Sequence, residues 1–252
     1  MSNIASLPLL LKQLNLPRML AHWEEQAAHA EKEHWSYSQY LAVLSNMEAA
    51  SRQQNRIMRH VKESKLPPGK TLDTFNFKAV KSINPAQIIA LADNTSWIKQ
   101  ASNVLLFGPS GVGKTHLAAA IAYRLIEQGV RSLFVPTTML VQKLQQARHE
   151  YKLSEVIDKL SRIPLLILDD IGYVKKNDAE TSVLFELIAD RYESSSLIIT
   201  SNQPFSHWDQ IFPDNVMAVA AIDRLVHHAT IINIEDESYR RQQSQLAANQ
   251  SK

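Results

Sequence analysis

The stretch "NVLLFGPSGVGKTHLAAAIA", residues 103–122, constrains the fold more than any other part of the chain. A short apolar run is followed by the pattern G-x-x-x-x-G-K-[ST], from Gly108 to Thr115, and then by a helix-forming segment. Glycines let the backbone curl so that its N–H groups converge on phosphate oxygens, and the N-terminal end of the next helix adds positive potential. The pattern therefore predicts a phosphate-binding loop between a strand and a helix.

The loop also predicts which residues contact a nucleotide. They are the eight residues of the motif and the histidine after them: Gly108, Pro109, Ser110, Gly111, Val112, Gly113, Lys114, Thr115 and His116. We expect Lys114 to reach the β- and γ-phosphates and the Thr115 hydroxyl to ligate Mg²⁺. A chance match in a glycine-containing turn is the alternative, and the strand before and helix after the loop disfavour it. ATP and Mg²⁺ are the predicted cofactors.

The rest of the chain after Pro67-Pro68-Gly69 indicates an α/β fold. Short apolar runs alternate with amphipathic segments, which is typical of a parallel sheet with crossover helices. The predicted strands are 103–107, 132–136, 164–170, 196–202 and 229–234, and the segments between them include helices at 114–127, 138–147 and 179–192. We predict a three-layer domain with a five-stranded parallel sheet, whose ligand lies at the carboxyl ends of the strands.

The first 65 or so residues differ in composition and pattern, because they lack glycine and carry apolar residues at helical spacing. Helix boundaries are indicated at Pro17 and near Ser36 or Ser38. We therefore predict a small all-helical domain over residues 1–66, for DNA or partner binding, and an ATPase domain over residues 67–252. Zero cysteines exclude disulfides and thiol chemistry, and the leucine-rich start is interrupted too often to span a membrane, so we expect a cytoplasmic protein.

Two adjacent carboxylates, Asp169 and Asp170, end the apolar run in "LLILDDIGY". Adjacent carboxylates repel one another unless positive charge or water is close. In a phosphate-loop protein, Asp169 is expected to hold Mg²⁺ and Asp170 to orient and deprotonate the attacking water. A solvated acidic turn is the alternative. Because Asp170 is one methylene shorter than glutamate, we expect slow hydrolysis.

Polar residues near two later strands extend the predicted catalytic set. Asn202 follows the strand in "SLIITSNQPFSHW", where its amide would hold the attacking water, although such residues also form turns. Arg224 precedes the last strand, and a guanidinium there would stabilise charge on a transferring phosphoryl group, in the site of a neighbouring subunit. A surface ion pair with Asp223 is the alternative for Arg224.

Other side chains are left open by the sequence. Phe75 and Phe77 either flank an adenine ring or pack at the sheet edge. His227 and His228 are interpreted as helix-surface or packing residues rather than metal ligands, because no partner ligands stand at metal spacing.

A basic segment ends the predicted helical domain and runs just past the predicted domain boundary. From Arg52 to Lys70 the chain carries six basic residues against one acidic residue, although its overall net charge is only +2. Arg52, Arg56 and Arg59 share one helix face at i, i+4 and i+7. With Lys62 and Lys65 they form a predicted contact surface for a nucleic-acid backbone. A solvated helix face is the alternative.

The motifs "GPSGVGKTHLA", "LLILDDIGY", "TSNQPFSHW", "DRLVHHA" and "ESYR" together closely resemble those of the IstB-like transposition helper ATPases. That family is a branch of the AAA+ superfamily and is akin to the DnaC-type helicase loaders. The resemblance covers nearly the whole chain, including the helical N-terminal region. By position in the motifs it implies a Walker A role for Lys114 and Thr115, a Walker B role for Asp169 and Asp170, sensor 1 at Asn202, an arginine finger at Arg224 and sensor 2 at Arg240.

The resemblance also implies a function. It implies a AAA+ core without a C-terminal lid, ATP-dependent self-assembly on double-stranded target DNA, recruitment or stimulation of a cognate transposase, and ATP hydrolysis, slow and DNA-stimulated, that releases the assembly. A DnaC-like replicative helicase loader, whose nucleic acid is single-stranded, is the main alternative. A small-molecule kinase would need a substrate lid that the sequence does not show. A non-catalytic nucleotide sensor would bind ATP without releasing phosphate.

Overall fold

The computed structural model describes residues 4–173, 178–204, 207–208 and 215–239. It divides into two compact units, Met1–Arg59 and His60–Lys252. This division falls inside one long helix, upstream of the Pro-Pro-Gly sequence at which we predicted the domain boundary. No helix in the described ranges is long and apolar enough to cross a membrane.

The first unit is helical, as predicted, and consists of α1 (Leu7–Gln13), α2 (Pro17–Lys32) and most of α3 (Tyr37–Ser64). Ser36 caps α3: its hydroxyl accepts from the Gln39 backbone N–H at 3.2 Å, and the Gln39 side chain accepts from the Ser36 N–H at 2.7 Å. This reciprocal pair satisfies two helix-end donors. Of the two serines that the sequence suggested, the structure selects Ser36.

A buried carboxylate joins α2 to α3. Glu48 accepts hydrogen bonds from the backbone N–H of Arg18 at 2.8 Å and of Met19 at 3.3 Å, in the first turn of α2. Burial alone would raise the pKa of Glu48, but these bonds and the guanidinium of Arg52 lower it below its ordinary value. The carboxylate thus supplies the cap that Leu16, which precedes α2, lacks.

The second unit contains the predicted five-stranded parallel sheet, in the order β2-β3-β4-β1-β5. Its strands are β1 (Asn103–Phe107), β2 (Ser132–Pro136), β3 (Leu165–Asp169), β4 (Ser196–Ser201) and β5 (Ala229–Asn233). The five predicted strands are confirmed, each within one residue at either end. The phosphate-loop strand, β1, lies inside the sheet between β4 and β5.

Helices cover both faces of this sheet. The described helices after α3 are α4 (Pro85–Asp93), α5 (Ser96–Lys99), α6 (Lys114–Glu127), α7 (Thr137–His149), α8 (Leu153–Ser161), α9 (Asp178–Arg191) and α10 (Asn215–Val226). Helix α6 packs on four of the strands and on α4, whereas α7, α8, α9 and α10 pack on one another. Because both faces are covered, the central strands are continuously apolar rather than alternating. The main core lies between the sheet and the α7–α10 layer.

A buried arginine fastens the amino edge of the sheet. The Arg191 guanidinium, 1 % exposed, donates to the carbonyl oxygens of Leu160 (2.9 Å), Ile163 (3.0 Å) and Ser196 (2.8 Å). Burial lowers the pKa of Arg191 to about 10, so the side chain stays charged at neutral pH. It links the end of α9 to the segments that enter β3 and β4.

We predict that Arg191→Leu lowers the free energy of unfolding by about 3 kcal/mol, because each buried carbonyl left without a donor costs about 1–3 kcal/mol. Urea denaturation followed by circular dichroism measures the change. Arg162→Leu, at an exposed arginine nearby, is the control and should change the value by no more than about 0.5 kcal/mol. Equal stability of the two variants would contradict the assigned role.

Candidate nucleotide-binding site

The phosphate loop is held in place by the strands on both sides of β1. The Gly108 N–H donates to the Ser201 carbonyl at 3.2 Å, and the Ile234 N–H donates to the Phe107 carbonyl at 2.8 Å. Because all five strands are parallel, the carboxyl ends of β1, β3 and β4 lie at the same edge of the sheet. The loop and the predicted acidic pair therefore lie at the same edge.

Two glycines in the loop are required by their surroundings. Gly113 has φ +102°, and a Cβ there would come within 2.8 Å of the Phe75 ring. Gly108 has φ +149°, and a Cβ there would overlap the carbonyl oxygen of Ile234. Both are backbone conformations that glycine adopts without strain. The loop can curl only because these positions carry no side chain.

Lys114 points back into the loop that precedes it. Its side chain is buried, and its Nζ donates to the carbonyl oxygens of Gly108 and Pro109, both at 2.8 Å. Burial lowers the pKa of Lys114, while the carboxylates of Asp170 and Asp169 partly oppose that effect. An ammonium held among converging loop atoms fits a phosphate oxygen as its ligand.

The Asp169 carboxylate is the centre of a hydroxyl network. It accepts from Thr115 Oγ1 at 2.9 Å and from Thr200 Oγ1 at 2.7 Å. The Thr137 hydroxyl donates to its backbone carbonyl at 2.9 Å. Carboxylate and hydroxyl oxygens are hard ligands of the kind that Mg²⁺ prefers, so Thr115 and Asp169 fit the predicted metal role.

Asp170 and Asn202 lie next to this network. The Asp170 backbone N–H donates to Thr200 Oγ1 at 2.9 Å, and its φ of +58° turns the chain sharply after β3. A Cβ on Gly172 would overlap Asn202 Oδ1, which is buried and accepts no hydrogen bond from the described residues. An amide oxygen in that position has capacity for a water or a ligand.

The sequence places Thr200 at the end of a strand expected beside the acidic strand, but the roles of the Thr200 and Thr137 hydroxyls were not predicted. The Thr200 hydroxyl accepts from the Asp170 backbone N–H and donates to the Asp169 carboxylate, so it joins the two residues. The position of Thr200 near the end of an apolar run is visible in the sequence, whereas its burial and the acidic strand beside it are established by the structure.

Aromatic residues cover the loop from outside the sheet. Phe75 is buried and makes edge contacts with Phe77 and His116, at centroid distances of 4.8 Å and 5.1 Å. His116 Nε2 lies 2.9 Å from the Thr71 carbonyl oxygen, and burial lowers the pKa of His116. Phe75 therefore packs against the loop and the start of α6. Contact of these side chains with a nucleotide stays a prediction.

Arg224 is not brought to the phosphate loop. It lies in the last turn of α10, where its guanidinium bonds the Ala220 carbonyl at 2.9 Å and sits 5.3 Å from the centre of the Phe185 ring. The next residue, Leu225, accepts from Asn103 Nδ2 at 3.1 Å, at the amino end of β1. With a strand rise of about 3.3 Å per residue, about 16 Å separates that end from Gly108. The predicted Arg240 lies outside the described residues.

The predicted DNA-contacting side chains differ in their surroundings. In the first unit, Arg56 and Arg59 are exposed, whereas Arg52 pairs with Glu48 at 3.0 Å and bonds the Asn15 carbonyl at 2.6 Å. In the second unit, Lys62 and Lys65 are exposed. Arg52 thus has an internal role as well as a predicted external one.

Comparison with known proteins shows the family. The family model described as IstB-like ATP binding protein matches residues 9–247. The chain belongs to this family. An insertion sequence ATP-binding protein of Sinorhizobium fredii is 51 % identical over 243 residues, covering 96 % of this chain and 82 % of that protein. The insertion sequence IS21 ATP-binding protein of Pseudomonas aeruginosa is 37 % identical over 241 residues, covering 96 % and 91 %.

Among solved structures, the DnaC helicase loader matches this IstB-like protein with a TM-score of 0.57 and 24 % identity, over 67 % of this chain and 98 % of that one. At this identity the likeness shows the fold alone. The second unit therefore has the predicted α/β fold, with a five-stranded parallel sheet and a phosphate loop after β1. ATP binding is the property that the family description and both relatives share.

We predict that Thr200→Val raises the Mg²⁺ concentration needed for half-maximal nucleotide binding about 10-fold, because it removes a residue that orients a metal ligand. Valine keeps the shape of threonine but removes the hydroxyl that holds Asp169 and Asp170. Titration of a fluorescent ATP analogue at several Mg²⁺ concentrations measures the effect.

Thr200→Ser is the matched control, because it keeps the hydroxyl and removes only a methyl group. It should bind with the Mg²⁺ dependence of the parent protein. A valine variant that behaves like the serine variant would show that the Thr200 hydroxyl does not organise the site.

Proposed function

We propose that this IstB-like protein is an ATP-dependent transposition helper that assembles on duplex DNA and recruits or stimulates a cognate transposase. The observation that supports this most directly is the separation of Arg224 from the phosphate loop of its own chain. A phosphate-binding site and a half-buried arginine at opposite ends of β1 suit a protein that works as a row of copies.

Within one copy, the site has the groups that phosphoryl transfer to water requires. Lys114 and the loop N–H groups bind the triphosphate, and Thr115 and Asp169 hold Mg²⁺, which neutralises phosphate charge when bound. Asp170 accepts a proton from the attacking water, and the Asn202 amide oxygen orients that water. The carboxylate of Asp170 is short, so slow hydrolysis suits a switch rather than a motor.

Arg224 supplies the remaining charge to a second copy. Its guanidinium lies beside an open pocket of about 590 Å³ that is lined by α10 residues and by Tyr192, the residue after α9. Two side chains of this pocket, Val216 and Val219, are 77 % and 67 % exposed. Apolar side chains around a half-buried arginine are typical of a protein interface. A second copy that places its phosphate loop here would have its own site completed by Arg224.

Duplex DNA is the proposed template for this assembly. Arg56 and Arg59 are exposed on α3 and have no hydrogen bond or ion pair with other described residues, so their charge is available to phosphates. Each copy added along the helix would add the same contacts, and ATP would favour the assembled state. Hydrolysis would then release the copies. The relatives named as insertion sequence proteins support a transposase as the partner.

We predict that Arg224→Ala lowers DNA-stimulated ATP hydrolysis about 10³-fold, the lower range for loss of an arginine finger, while nucleotide affinity changes less than about 2-fold. Lys114→Ala should instead abolish nucleotide binding. Both variants should fail to assemble on DNA. Phosphate release, analogue titration and electron microscopy with duplex DNA measure the three properties.

The matched control is Arg131→Ala, which removes an exposed arginine beside the amino end of β2. It should hydrolyse and assemble as the parent does. The proposal is contradicted if Arg224→Ala hydrolyses at the parental rate, or if it loses nucleotide binding as Lys114→Ala does.

For DNA, we predict that replacing both Arg56 and Arg59 by alanine weakens duplex binding and reduces the slope of log affinity against log salt by about 2, one for each lost phosphate contact. The control replaces Lys12 and Lys32, which are exposed on the same unit, by alanine, and it should keep the parental slope. Fluorescence anisotropy from low to high salt measures both.

The same assay separates transposition helper from helicase loader. A helper binds duplex more tightly than a single strand at matched salt, and a helicase loader shows the reverse preference. An unchanged slope in the Arg56 and Arg59 variant would place the DNA contact elsewhere.

A further inference from the structure

Three side chains with metal-binding atoms meet at the amino edge of the sheet. The ligand atoms of Glu193, His227 and His228 all lie within 4.8 Å of one another, and the three residues are exposed. The rings of the two histidines have centroids 4.0 Å apart. This cluster lies away from the phosphate loop, and the proposed ATPase mechanism does not use it.

The topology explains why residues so distant in sequence meet. Glu193 lies in the turn that leads into β4, and His227 and His228 lie in the turn that leads into β5. Both strands pair with β1, on opposite sides, and all three run in the same direction. The two turns therefore lie at the same edge of the sheet.

The backbone that carries these ligands is fixed. The His228 carbonyl accepts from the Asn103 N–H at 2.8 Å, and the His227 N–H donates to the Asp223 carbonyl at 3.0 Å. On the other side, the N–H groups of Ser194 and Ser195 both donate to the carbonyl oxygen of Arg191, the residue whose buried guanidinium binds three carbonyl oxygens at this edge. Ligands on a rigid backbone lose little entropy when they bind an ion.

A second contact orients one of the histidine rings. The Tyr192 hydroxyl lies 2.9 Å from His227 Nδ1, which leaves Nε2 available as the ligand nitrogen. A hydrogen bond to the second ring nitrogen is the usual support of a metal-ligating histidine.

We propose that Glu193, His227 and His228 form a site for a divalent transition metal ion of the zinc class. Two imidazoles and one carboxylate are a donor set that Zn²⁺ and Co²⁺ accept, with a fourth position for water. Mg²⁺ prefers oxygen ligands and does not compete well at such a site. The bound ion joins the end of α9 to the end of α10, the helix that carries Arg224.

The test is titration of the full chain with Zn²⁺ by calorimetry, and with Co²⁺ by visible absorption, in a constant excess of Mg²⁺ that occupies the phosphate-loop site. We expect one ion per chain and an absorption spectrum of tetrahedral Co²⁺. Glu193→Gln and His228→Ala should each weaken binding at least ~10-fold. His149→Ala, at an exposed histidine on α7, should leave it unchanged.

Thermal unfolding gives a second measurement that does not depend on ATPase activity. Saturating Zn²⁺ should raise the Tm of the parent and of His149→Ala, and should do so less in the two site variants, because an ion that binds only the folded state stabilises it. The proposal is overturned if Zn²⁺ does not bind, or if Glu193→Gln and His228→Ala bind it as tightly as the parent. Loss of Zn²⁺ binding with normal assembly on DNA would leave the proposed function intact.

Discussion

The common direction of the five strands is the constraint on which the rest of this structure depends. It brings the end of β1, with the phosphate loop, beside the ends of β3 and β4, where Asp169 and Thr200 lie. It also places the amino ends of all five strands at the other edge, where the end of α10 carries Arg224. The parallel direction of the strands thus places the nucleotide site at one edge of the sheet and Arg224, which would complete the site of another copy, at the opposite edge.

At the nucleotide edge, the two charged groups Lys114 and Asp169 both have hydrogen-bond partners. Lys114 bonds loop carbonyls, and the carboxylate of Asp169 accepts from two threonine hydroxyls, so neither charge is buried without partners. Hydrogen bonds within the protein thus fix the positions of these side chains at the carboxyl edge of the sheet.

Much of this architecture was predictable because its causes are local. The strands are short apolar runs buried on both faces, and the loop spacing is fixed by backbone geometry, so β1, β3 and Lys114 could be assigned from the sequence. Helix α8 was not assigned, although its apolar residues recur at helical spacing. The Thr200 bridge and the Glu193, His227 and His228 cluster depend on which strands are neighbours. Strand order is a tertiary property, and no single segment encodes it.

The central claim is that each nucleotide site is completed by Arg224 of another copy. The most direct measurement mixes two separately inactive proteins, Lys114→Ala and Arg224→Ala, in equal amounts with duplex DNA and ATP, and follows phosphate release. If the arginine acts between copies, an intact loop of one variant meets an intact Arg224 of the other, and hydrolysis returns to a substantial fraction of the parental rate. If the mixture stays as inactive as either variant alone, the claim is wrong.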